Sequence, residues 1–180
     1  MKNTGFIVLL RGINVGGHHK VPMAELRQTM EKMGFTNVST LLNSGNVIFE
    51  TKDKVGLESE IEFQLERTFG FEIPVMLRKF DEIQQMVQNN PFERFKADEN
   101  TKFYVSFVKN KPDNEIDLPF FSEDKSFQII EIRDKTVFGI LDLSKGSTVK
   151  GMEVLQSLFG KDLTTRNWNT IVKCSEKMNF

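Results

Sequence analysis

Five consecutive apolar residues, Phe6-Ile7-Val8-Leu9-Leu10, are stopped by Arg11 and Gly12. Side chains alternate across an extended strand, so such a run is apolar on both faces and both must be covered. A chain opening this way cannot place that strand in a sheet with one wet face. The segment is too short for the roughly 20 residues of a membrane span, and the charged Arg11 follows where an export signal would present a small-residue cleavage site. It is therefore read as a first strand, and a cytoplasmic location is expected.

The elements that follow fit a recognisable order. Pro22 suits a helix start, because its missing N–H has no helical partner there. Met23, Leu26, Met30 and Met33 then recur at three- and four-residue spacing up to Gly34. Val38–Leu42 and Val47–Thr51 flank Asn43-Ser44-Gly45-Asn46, predicting a hairpin turned at Ser-Gly, with Leu42 opposite Val47 and Thr40 opposite Phe49. Leu57, Ile61, Leu65 and Phe69 mark a second helix, with Glu58, Glu60, Glu62 and Glu66 as its solvated face, and Glu72–Arg78 reads as a fourth strand. The order β-α-β-β-α-β over residues 1–78 is that of a ferredoxin-like, split βαβ unit. Such a unit carries helices on one sheet face, and the doubly apolar first strand then requires a cover for the other. The rest of the chain is the nearest candidate.

Beyond residue 78 the pattern changes. Phe80, Ile83, Met86 and Val87 predict a helix ending at Asn89-Asn90-Pro91, followed by a polar linker, so that residues 79–101 join two subdomains. Residues 102–180 read as a smaller α+β subdomain. A strand is expected at Lys102–Val108, and a loop containing Pro112 and Pro119 then leads to strands at Phe127–Arg133 and Thr136–Asp142, a hairpin. A helix follows through Val149, Met152, Leu155 and Phe159, and a last helix is expected to begin near Thr164 or Thr165 with a threonine cap. The fold class is α+β, with the two subdomains packed together.

Composition narrows the chemistry. Among 180 residues there are 17 Phe, but one Trp, one Tyr, one Cys and two His. A single cysteine forms no internal disulfide, and two adjacent histidines with one thiol do not make a structural zinc site. No metal and no cofactor is expected. Lys and Arg number 24 against 25 Asp and Glu, for a net charge of −1, which is unlike a dedicated nucleic-acid binder. A mean hydropathy of −0.32 suits an ordinary globular chain and no membrane partner.

Two polar segments stand out. Arg11-Gly12-Ile13-Asn14-Val15-Gly16-Gly17-His18-His19-Lys20 joins the first strand to the first helix. Gly16 and Gly17 permit close backbone approach to a ligand, and Arg11, Asn14 and Lys20 add donors near a helix N-terminus, a natural anion site. The same glycines would equally serve turns, and the spacing is neither of the familiar nucleotide-binding patterns. Thr164-Thr165-Arg166-Asn167-Trp168-Asn169-Thr170 crowds hydrogen-bonding side chains around the sole tryptophan. Thr165, Arg166, Asn167 and Asn169 are candidate ligand contacts, while Trp168 alone also reads as a core anchor. No nucleophile with a neighbouring base is visible.

These segments resemble the signatures of a bacterial family known as domain of unknown function 1697, whose members carry a strand followed by LRGINVGG, a K-V-P-M-x-x-L-R helix, an SGNVIF hairpin and a T-T-R-N-W-N-T-V segment. The matching residues are Leu10–Gly17, Lys20–Arg27, Ser44–Phe49 and Thr164–Ile171, with Ile171 in place of valine. The resemblance implies an α+β fold with a ferredoxin-like N-terminal part, and no activity. Its polar motif positions here are Arg11, Asn14, Lys20, Ser44, Asn46, Thr165, Arg166, Asn167 and Asn169.

The leading expectation is a protein that binds a small phosphorylated or carboxylated molecule in a pocket between subdomains, with Arg11, Asn14, Gly16, Gly17 and Lys20 meeting Thr165, Arg166, Asn167 and Asn169. The alternatives are a nucleic-acid-binding ferredoxin-like sheet, for which Phe6 and Phe49 are the available aromatics, and a homo-oligomer or protein-interaction module using an exposed edge strand.

Overall fold

In a computed structural model that describes residues 3–111 and 116–177, the described residues form two antiparallel sheets and five helices. Pro112 lies outside the described residues. The chain divides into two compact units, Met1–Gln85 with Cys174–Phe180, and Met86–Lys173. No helix among the described residues is long and apolar enough to cross a membrane.

The first unit contains β1 (Thr4–Leu10), α1 (Met23–Lys32), β2 (Thr36–Leu41), β3 (Asn46–Thr51), α2 (Leu57–Phe69) and β4 (Val75–Lys79). Its sheet runs β2-β3-β1-β4, all antiparallel, with β1 and β3 central. Phe6, Val8 and Leu10 of β1 share a core with Val47 and Phe49 of β3, Leu26 and Met30 of α1, and Leu57, Ile61 and Leu65 of α2. Both helical stripes thus cover one sheet face, as their spacing predicts. On the opposite face Ile7, Leu9, Ile48 and Met76 are fully or almost fully buried. The doubly apolar reading of β1 is therefore correct.

Two local readings need correction in this unit. The hairpin is not turned at Ser-Gly: Leu41 pairs with Asn46 and Thr40 with Val47, leaving Leu42–Gly45 as a four-residue loop. Leu42 adopts a left-handed φ of 59° and is half exposed, so it belongs to the turn and not to the strand. The register moves by two residues over Ser39–Leu41, which keeps those side chains on their expected faces, and an irregularity between Thr36 and Ser39 shifts it again. Glu58 and Glu62 are not merely solvated. They reach across to β4, where Glu62 Oε1 accepts from the Val75 N–H (3.0 Å) and Glu58 Oε1 from the Leu77 N–H (3.2 Å).

After β4 the chain turns directly into α3 (Phe80–Gln88), as its periodicity predicts. The second unit then holds β5 (Thr101–Val108), β6 (Phe120–Phe121), β7 (Phe127–Arg133), β8 (Thr136–Asp142), α4 (Thr148–Phe159) and β9 (Leu163–Asn167), with α5 (Trp168–Glu176) beginning where β9 ends. Its sheet order is β6-β7-β8-β5-β9, so five strands replace the three expected. Phe127, Ile129, Leu141 and Val108 pack with Leu155 of α4. A methyl group placed on Gly139 would lie 2.5 Å from the Phe127 ring, and one on Gly151 of α4 would lie 3.2 Å from it. The ring is accommodated because both positions lack a side chain.

The segment read as a polar linker contributes a core residue. Phe92 is buried and stacks on Phe103 at 4.6 Å, with Phe138 and Trp168 edge-on at 6.0 and 5.3 Å. Trp168 is accordingly a core anchor of the second unit, 8% exposed.

Candidate functional site

The first polar segment forms a folded loop between β1 and α1. Gly16 and Gly17 have φ of 61° and 80°, and the Val15 carbonyl accepts from the His18 N–H at 3.2 Å across them. Two successive positive φ values at the centre of a tight turn suit glycine on steric grounds. These glycines make a miniature hairpin, with Val15 exposed beside its tip.

Asn14 sets the shape of the remainder. At φ 56°, its side-chain amide donates to the Val21 carbonyl (3.0 Å) and to the Asn43 carbonyl (2.8 Å), and its oxygen accepts from the Val21 N–H (2.9 Å). The first and third bonds close the loop on itself. The second ties it to the β2–β3 turn. That turn is joined again where the Leu10 N–H donates to the Gly45 carbonyl at 2.8 Å. A methyl on Gly45 would sit 2.8 Å from Leu10 Cβ and 2.7 Å from Ile13 Cδ1. Asn46, fully buried, donates to the Leu41 carbonyl (2.8 Å) and Ser44 Oγ (3.0 Å). Two segments distant in sequence are thus one construction, and Asn14 and Gly45 are the residues that join them.

That construction walls a surface depression of about 420 Å³, lined by Asn14, Gly17, Lys20, Val21, Pro22, Met23 and Asn43. It opens at the N-terminus of α1, where Pro22 provides no side-chain cap. The positive end of the helix dipole and the Lys20 ammonium therefore share one rim. Glu25, in the first turn of α1, lines the neighbouring groove with Gln28, Lys32 and Gln64 instead. Arg11 does not line the depression; its backbone N–H donates to the Pro74 carbonyl at 2.9 Å. His19 stacks on Phe71 at 4.6 Å.

The second polar segment is a strand before it is a helix start. Leu163–Asn167 is the edge strand β9, paired with β5 through Thr165 opposite Ser106 and Arg166 opposite Val105. Strand alternation sends Thr165 and Arg166 to opposite faces. On one face the Thr165 and Ser106 hydroxyls are 2.8 Å apart. On the other the buried Arg166 guanidinium donates to Thr164 Oγ1 (2.7 Å), and it also donates to the Thr165 carbonyl (3.0 Å). The helix begins only at Trp168, and Asn167, not a threonine, caps it: Asn167 Oδ1 accepts from the Asn169 N–H at 3.0 Å. Asn169 itself is exposed. Phe6 and Phe49 are both buried, their rings 5.8 Å apart in the first unit's core, so neither offers a face to a base.

The signal that sequence reasoning missed is Asn43. It acts through its backbone carbonyl, and only its place beside Gly45 in the turn singles it out.

A conserved bacterial protein, SP0830 from Streptococcus pneumoniae, has a structure similar to this one, with a TM-score of 0.70 and 22% identity, covering 98% of this chain and 99% of that one. An unknown protein from Galdieria sulphuraria aligns with a TM-score of 0.28 and 14% identity, over 92% of this chain and 99% of that one. No curated protein matches. The model of a family described as "Protein of unknown function (DUF1697)" matches residues 3–138, which takes in the Arg11–Lys20 loop and the β2–β3 turn and stops short of β9. The chain belongs to the DUF1697 family.

Proposed function

We propose that this protein binds a small anionic molecule, phosphorylated or carboxylated, in the depression at the N-terminus of α1. The observation that carries the reading is the lining of that depression: Lys20, the Asn14–Gly17 turn and the Asn43 turn surround a helix end that has no side-chain cap. A phosphate or carboxylate there gains from the helix dipole, from exposed amides and from one ammonium group. Asn14 holds the wall, and Lys20 supplies the charge. The protein acts in the cytoplasm in this reading, consistent with a single, buried cysteine. The first unit is read as ferredoxin-like, supported by its β-α-β-β-α-β order and the β2-β3-β1-β4 sheet.

Thermal-shift measurements against inorganic phosphate and a panel of small phosphate monoesters and carboxylates test the reading. At tenfold excess over its dissociation constant, a ligand adds about 1.4 kcal/mol to stability. Wild type is expected to gain melting temperature with at least one member, and Lys20→Ala to lose most of that gain with its own melting temperature unchanged. Equal gains in both proteins overturn the reading.

A further inference from the structure

The outer edge of the four-stranded sheet is occupied in an unusual way. Among the described residues β4 is its last strand on that side. An edge strand turns every second N–H away from its neighbour, and such a row accepts another strand readily. In β4 the amides of Val75 and Leu77 do not point into empty space. They donate to Glu62 Oε1 and Glu58 Oε1, two carboxylates one helical turn apart on α2. A four-residue spacing along a helix rises about 6 Å, close to the two-residue repeat of a strand, so one helix face can serve alternate amides of one strand. Both glutamates are half-buried, and Leu57, Ile61 and Leu65 anchor the helix that carries them in the core.

We propose that Glu58 and Glu62 close the β4 edge against strand addition, and that the strand they exclude is β4 of a second copy of this chain. Antiparallel pairing of β4 with itself is self-complementary, so one two-fold contact would satisfy the same amides in both copies. Each carboxylate occupies the acceptor position that a partner carbonyl would need. The arrangement is independent of ligand binding at α1.

Backbone amide exchange and sedimentation on the full chain test this together. In Glu58→Ala the Leu77 amide is expected to exchange at least about tenfold faster, and in Glu62→Ala the Val75 amide, while Met76 and Arg78 keep their protection. That one-to-one correspondence does not arise from general loss of stability. The double variant is expected to form a concentration-dependent dimer, and Glu58→Gln with Glu62→Gln, which keep an acceptor oxygen, to remain protected and monomeric. Unchanged exchange at Val75 and Leu77 overturns the proposal. So does a double variant that exposes both amides and stays monomeric up to about millimolar concentration, a range in which weak edge pairing is populated. Should the double variant fail to fold, the same two measurements on each single variant decide: a faster-exchanging amide with dimer formation supports the proposal, and the absence of either overturns it.

Discussion

Gly45 meets two constraints at once: a φ of 72° and a methyl-sized gap already filled by Leu10 and Ile13. A side chain there has to accept left-handed backbone geometry and displace packed atoms of the first core. Gly45→Ala is expected to cost about 2–5 kcal/mol, the sum of a left-handed penalty and overpacking, read as a lower urea midpoint. Asn14 works by hydrogen bonding, not by packing. Asn14→Ala strands the Asn43 and Val21 carbonyls and the Val21 amide; because the site is partly wet, the loss is expected to be about 1–2 kcal/mol. Amide exchange at Val21 should rise in that variant, while Leu9 and Ile48 in the sheet stay protected. These residues also mark the limit of sequence reading at the site. Three glycines and an asparagine announce turns plainly, but that Asn14 closes on Asn43, twenty-nine positions away, is a fact of chain path that no local pattern contains.

At the scale of elements, the β6–β7 connection is organised by one carboxylate. Asp124 Oδ1 accepts from the Ser126 N–H (3.0 Å), Ser126 Oγ (2.7 Å) and Ser122 Oγ (2.8 Å). Those bonds, led by the Ser126 amide and hydroxyl, hold its pKa down to about 2. Asp142, at the end of β8, is likewise lowered to about 2 by Lys145 and Ser144. A carboxylate with a depressed folded pKa stabilises fully above its unfolded value of about 3.8–3.9. That contribution is lost as pH falls from there through about 2. Acid unfolding followed by fluorescence of the lone tryptophan, Trp168, which lies in the same unit, should therefore steepen in this window, and Asp124→Asn should flatten part of the slope. Elements with a strong period were legible from sequence: both helical stripes of the first unit, α3, and β1 with its two apolar faces. β9 was not, because Leu163-Thr-Thr-Arg-Asn shows no alternation of apolar and polar residues. Its buried positions are held by polar groups, Thr164 and Arg166, that find partners within the strand itself. Phe92 was missed for the opposite reason, as one aromatic in a polar stretch whose period is set by the ring cluster it joins.

The whole molecule is two units, each with its own sheet and core, and the division cuts through α3 and α5, between Gln85 and Met86 and between Lys173 and Cys174. The family match stops at residue 138, whereas the similarity to the Streptococcus pneumoniae structure extends over 98% of the chain. The shared architecture therefore includes β9 and α5, even where the family model does not reach. The four-stranded unit is discontinuous, since it takes in both the opening of the chain and its last residues, while the five-stranded unit is a single stretch lying between them in sequence. A ribosome making this protein at about 5–20 residues per second delivers every strand of the first sheet early, then spends several seconds on the middle before Cys174, fully buried in the finished structure, emerges to complete the unit. The stretch begun second is thus finished first. Stalled nascent chains that expose residues up to Lys173 are expected to resist protease over 86–111 and 116–173 while remaining cleavable in the first unit, and resistance there should appear only once Cys174–Lys177 clear the ribosome.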